Sequence, residues 1–134
     1  MIDQKLIDQK LADQKLAETQ PMAPMTIKDL ESEYKVIADF LNAHWPLPDH
    51  QQRIFARTMK IMEELGELSD ELLTSMNLSR NSKIAKFSQE NVEDEYADVL
   101  ACVIILGHEL GIDVEKVMKK KIKFTHERFE MDKV

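Results

Sequence analysis

Apolar positions recur along this chain at the three- and four-residue steps of amphipathic helices, and the stretches between them are short and polar. Leu30, Tyr34, Ile37 and Leu41 make the first such face. Thr26 precedes it with Asp29 three residues on, the spacing of a capping box, and the helix is expected to end before Pro46. After a Pro-interrupted loop from Trp45 to Asp49, a longer pattern runs from about His50 to Met76, with Ile61, Leu65, Leu68 and Leu72 on one stripe. The polar segment from Asn77 to Phe87 predicts a loop or broken helix. Ser88 is placed to cap a third helix ending at Gly111, and Asp113 to cap a fourth continuing to about Met131. Short connections between such helices favour an all-α fold, an antiparallel four-helix bundle.

The third helix is apolar nearly all round from Ala97 to Leu106, apart from Asp98. A helix of that kind is buried on every side, which is more cover than one small four-helix layer provides. Assembly into a homodimer or homotetramer is the expected remedy. Asp98 would then be deeply buried and in need of a partner, because an unpaired buried charge is costly.

Residues 1–24 are of another character. Asp-Gln-Lys-Leu begins at Asp3, Asp8 and Asp13. A step of five turns a helix by about 140°, so Leu6, Leu11 and Leu16 spiral and do not form a coiled-coil seam. The segment reads as a flexible or loosely helical appendage, with an interaction arm as the alternative. Glu18 to Met25, containing Pro21 and Pro24, reads as a linker, which leaves residues 25–134 as the helical domain.

Composition narrows the partners. At 134 residues with only 3 Gly and 4 Pro, the chain suits one mostly helical domain with a proper core. A formal charge of −7 disfavours a nucleic-acid polymer. A nucleotide stays open, because bound metal would neutralise both site and phosphates. The single Cys102 cannot form an intrachain disulfide, as suits a reducing compartment. The first twenty residues carry charges throughout and lack the apolar core of a signal peptide. The longest apolar run, Val99 to Gly107, is too short to span a bilayer. A cytoplasmic protein without membrane association is expected.

Two carboxylate clusters carry the chemistry. One is Glu63-Glu64-Leu65-Gly66-Glu67 in the second helix; the other is Glu95-Tyr96-Ala97-Asp98 in the third. At about 100° per residue, Glu64 and Glu71 flank the apolar stripe, Glu67 lies farther round, and Glu63 points farther away. Glu64 and Glu67 are the preferred ligands there, with Glu63 or Glu71 in support. Glu95 and Asp98 stand about 60° apart on their helix. Two such faces opposed would put four carboxylates around one point, where like charges about 4 Å apart repel by roughly 4 kcal/mol. Divalent cations relieve that repulsion, and carboxylate oxygens suit Mg²⁺, with Mn²⁺ as a substitute. A solvated acidic face is the plainer alternative for either cluster alone. Metal-dependent phosphate chemistry is the reading favoured by the pair.

Glu63-Glu64-x-x-Glu67, 27 residues, then Glu95-x-x-Asp98 resembles the E-E-x-x-E…E-x-x-D signature of the MazG-like all-α NTP pyrophosphohydrolases. The strings Glu-Glu-Leu-Gly-Glu-Leu, Ala-Asp-Val-Leu and Leu110-Gly-Ile-Asp113 are similar as well, and the likeness extends over roughly Met25 to Phe129. The resemblance implies Mg²⁺-dependent hydrolysis of a nucleoside or deoxynucleoside triphosphate between the α and β phosphates, as nucleotide-pool house-cleaning. It also implies helical dimers or tetramers. By position, Glu64, Glu67, Glu95 and Asp98 become metal ligands, with Glu63 as a further ligand or a base. Alternatives are a phosphoribosyl-ATP pyrophosphohydrolase, or a non-catalytic helical protein binding metal or nucleotide.

The remaining residues offer candidate substrate contacts. In the last helix Lys121 and Arg128 flank the stripe Met118, Ile122 and Phe129 on one side, placed to reach a phosphate. The family often has such a basic pair with an Asn between; Thr125 stands there in this chain. Trp45 either stacks on a base, as in related enzymes, or anchors its loop on the core. His50, Gln51 and Gln52 are base contacts or helix-start surface. Arg80, Lys83 and Lys86 form a phosphate-binding lid or a plain polar connection. The four histidines lack metal-ligand spacing among themselves, and the chain holds no P-loop, dinucleotide fingerprint or activated nucleophile.

Overall fold

The computed structural model describes residues 24–131; the N-terminal repeat and most of the 1–24 segment lie outside the described residues. Five helices follow in order: α1 Ile27–His44, α2 His50–Ser75, α3 Asn81–Ile84, α4 Gln89–Glu109 and α5 Val114–Arg128. The described residues contain no strand.

The ends of these helices follow local chemistry. Thr26 and Asp29 close a reciprocal capping box, with the Asp29 amide 3.2 Å from Thr26 Oγ1 and the Thr26 amide 2.8 Å from Asp29 Oδ2. Asp49, Ser88 and Asp113 accept from the amides of Gln52, Asn91 and Lys116. Each satisfies an amide that the first turn leaves without a partner. At the other ends, Asn77 (φ 59°) and Gly111 (φ 66°) adopt the left-handed conformation. That lets the Leu78 amide reach the Leu73 carbonyl at 2.8 Å and the Ile112 amide reach the Gly107 carbonyl at 2.9 Å. The last helix stops at Arg128, short of the expected Met131, where Glu130 turns left-handed (φ 51°).

α2 and α4 form the most extensive packing and run antiparallel. α1 lies across the end of that pair: Asn42 bonds Glu109, and His108 faces Asp39. α5 packs chiefly on α1, tied by Lys28 to Asp113 at 3.1 Å and by the Val114 amide to Glu31 Oε1 at 2.6 Å. One chain therefore does not close four helices around a common core among its described residues. Ala38, Ile104 and Ile105 are the buried apolar side chains among the described residues.

One chain leaves much of α4 open. Leu100 and Val103 are 44% and 47% exposed, so the apolar run is not covered on every side by its own chain. Asp98 is exposed within the single chain. The reason is shared: α2 covers one face and α1 only the C-terminal end, leaving the rest of α4 open. No described helix is long and apolar enough to cross a membrane.

Candidate metal centre

Antiparallel pairing sets which residues of α2 and α4 meet. Arg53 meets Glu109 at one end, and Glu71 and Asn91 line a common hollow at the other. Between them, one carboxylate oxygen from each of Glu64, Glu95 and Asp98 lies within 4.8 Å of the other two. The three differ in surroundings: Glu64 is buried, Glu95 half-buried and Asp98 exposed. Burial first, and then the charges of Glu67, Asp98, Glu64 and Glu71, push the Glu95 carboxyl above its ordinary range. Its Oε2 is buried with no hydrogen-bond partner among the described residues. An orphaned carboxylate oxygen beside two further carboxylates suits a hard divalent cation.

An open cleft of about 360 Å³ adjoins the trio, walled by Glu63, Gly66, Glu67, Asp70, Glu71 and Glu95. Glu67 is thus on the cleft wall and within electrostatic reach of Glu95, though outside the close trio. Glu63 is on the same wall. Lys60 engages both members of the Glu-Glu pair, its Nζ 2.6 Å from Glu64 Oε1 and 3.0 Å from Glu63 Oε2. These bonds, to Glu64 above all, hold the ammonium well above its usual range. Cys102 is half-buried; burial, and then the Glu64 charge, push its thiol up, away from nucleophile chemistry.

The basic and aromatic candidates are placed less centrally. Lys121 lies over the Phe124 ring and Arg128 over Phe129, both on α5, which packs chiefly on α1. Within one chain the described structure does not bring them to the carboxylates. Trp45 is 67% exposed and meets Phe40 edge-on at 6.4 Å, riding on the last turn of its own helix. The anchoring of its loop on the core is therefore not found. Lys83 and Lys86 line the hollow that shares Glu71 with the acidic cleft, and Lys83 pairs with Asp70. Lys60 went unnoticed in the sequence; its signal is the step of four residues to Glu64.

A model of the MazG-like family matches residues 56–133, more than half of the chain. The chain belongs to the MazG-like family. The match includes both carboxylate clusters and α5 but not α1 or Trp45, so it starts later than the likeness drawn from Met25. No curated protein and no solved structure matches the chain. MazG-like membership points to pyrophosphohydrolase-type nucleotide chemistry and to divalent metal use, for which the acidic trio is suited.

Proposed function

We propose that this MazG-like chain is a Mg²⁺-dependent nucleoside triphosphate pyrophosphohydrolase, cleaving a ribo- or deoxyribonucleoside triphosphate between the α and β phosphates to monophosphate and pyrophosphate. The observation that carries the reading is the convergence of Glu64, Glu95 and Asp98 around the orphaned Glu95 oxygen. These three residues would hold the ion, with Glu67 as the fourth ligand from the adjoining wall. When bound, the ion supplies neutralisation of phosphate charge and acidification of the attacking water. Glu63, on the same wall and outside the trio, is suited to accept that water's proton. Removal of unwanted nucleotides from the pool is the role such a reaction serves.

A second copy of the chain completes this reading. Phe55, Met59 and Met62 lie exposed at steps of four and three residues on the side of α2 turned away from α4, and Leu73 lies exposed farther along that side. Exposed apolar side chains grouped in this way suit an interface, and a dimer or tetramer provides one. The partner's α5 is then a source of the Lys121 and Arg128 contacts to phosphate, while exposed Trp45 is free to stack on a base.

The deciding experiment measures pyrophosphate release from a panel of ribo- and deoxyribonucleoside triphosphates with Mg²⁺, for the native chain and for Glu67→Gln and Asp98→Asn. Monophosphate plus pyrophosphate, lost in both variants, is expected. Silence across the panel from folded, metal-binding protein would refute the reading and leave phosphoribosyl-ATP as the substrate, or a binding role without turnover.

A further inference from the structure

Lys60 stands one helical turn before the Glu63-Glu64 pair and bonds both carboxylates. A routine surface ion pair is a poor account of it. Lys placed N-terminal to Glu is the weaker orientation for stabilising a helix. The Glu64 side chain is only 8% exposed, so its charge is largely withdrawn from water and needs a counter-charge. The Lys60 ammonium, 2.6 Å from Glu64 Oε1, provides it. A divalent cation drawn to Glu64, Glu95 and Asp98 addresses the same Glu64 carboxylate. Two cations there repel each other, and Lys60 is the one able to leave, since its side chain is 45% exposed and flexible.

We propose that Lys60 is the built-in counter-cation of this metal centre: it occupies Glu64 until metal arrives, is displaced by it, and then binds the phosphate chain. The proposal rests on the metal-centre reading above and adds a consequence to it. Metal alone is held weakly, because it must displace an ammonium. The displaced ammonium stays beside the cleft that Glu63 helps to wall, where it favours entry of a polyanion. Lys60 thus favours loading of metal and triphosphate together over metal alone.

The test uses the full chain and two probes, Mn²⁺ alone and the Mn²⁺ complex of inorganic tripolyphosphate, which carries no base. Binding is read by calorimetry for the native chain, Lys60→Met, Lys60→Arg and Glu95→Gln, with Lys60→Gln as the second neutral variant. Loss of a partly exposed ion pair, about 1 kcal/mol, corresponds to roughly fivefold. Lys60→Met is expected to bind Mn²⁺ about fivefold tighter and the tripolyphosphate complex about fivefold more weakly, with Lys60→Arg near native in both. Its metal-free form is expected to melt below the native chain, with saturating Mn²⁺ narrowing the gap. Unchanged or weaker Mn²⁺ binding in both neutral variants overturns the counter-cation role, and unchanged tripolyphosphate binding overturns the transfer to phosphate. If the native chain binds Mn²⁺ and Glu95→Gln does not, either failure falls on Lys60 alone. If the native chain binds no Mn²⁺, the metal centre and the proposal fall together.

Discussion

Replacing Glu109 with Ala removes the carboxylate on which α1, α2 and α4 converge. Its side chain is 5% exposed. Oε1 accepts from Asn42 Nδ2 at 2.8 Å, and Oε2 accepts from Arg53 Nε at 3.3 Å. Arg57 in turn donates to Asn42 Oδ1 at 3.0 Å, so the substitution also loosens a second cation. Removing one partner of a fully buried pair costs about 3–5 kcal/mol. Arg53 is 28% exposed and can regain water, which brings the expected loss to about 2–3 kcal/mol, or roughly 10 °C in melting temperature. Glu109→Gln keeps an acceptor for Asn42 and is expected to lose about 1–2 kcal/mol.

The pH dependence of that loss has a definite sign. Burial pushes the Glu109 carboxyl up, but the bonds from Asn42 and Arg53 outweigh it and hold the group below its ordinary value of 4.5. A carboxyl lowered in the folded state contributes stability that is present above its unfolded value and lost as pH falls through the folded one. The gap between the native chain and Glu109→Gln is therefore full at neutral pH and shrinks in acid below 4.5. Urea unfolding at fixed protein concentration measures it, since subunit association makes stability concentration-dependent. A neutral-pH loss for Glu109→Ala below about 0.5 kcal/mol, the range of ordinary surface changes, would refute the three-helix tie. So would a Glu109→Gln gap that acid leaves unchanged.

Three further outcomes are expected. A Cβ on Gly66 would meet no atom within 4 Å, so Gly66→Ala should stabilise α2 by about 0.5–1 kcal/mol; a lower urea midpoint would contradict the open cleft wall. Mn²⁺ at a hundredfold its dissociation constant should add about 2.7 kcal/mol of stability, and an equal thermal gain in Asp98→Asn would remove Asp98 from the ligand set. Because the Glu95 carboxyl is raised in the folded chain, its contribution to metal-free stability should fall as pH climbs from the ordinary carboxylate value through the raised one. Glu95→Gln should flatten that slope, and an identical pH profile in this variant would count against the crowded-carboxylate account.

Helix positions were legible in the sequence because their determinants are local. Thr26 with Asp29, Ser88, Gly111 and Asp113 act within a turn of their own amides and carbonyls, and each ends its helix where the pattern placed it. The carboxylate pairs were legible for the same reason, since a three-residue step puts Glu64 with Glu67 and Glu95 with Asp98 on adjoining faces whatever the helices pack against. Which of them meet was decided by the register of α2 against α4, a contact between residues far apart in the chain. That register brings Glu64, Glu95 and Asp98 together and leaves Glu67 on the neighbouring wall.

Exposure, too, belonged to the tertiary level. Hydrophobic patterning made Asp98 look buried, but patterning reports which faces need cover and not which neighbour supplies it. In one chain α1 crosses only the end of α4, and α5 turns away to pack on α1. Asp98 is accordingly open in the single chain, and Lys121 and Arg128 lie on the helix that packs chiefly on α1. The sequence by itself determined the helices, their ends and the carboxylates they carry. Tertiary packing decided which charges converge, how much water they keep and which cation answers them, because those depend on distances that no local periodicity encodes.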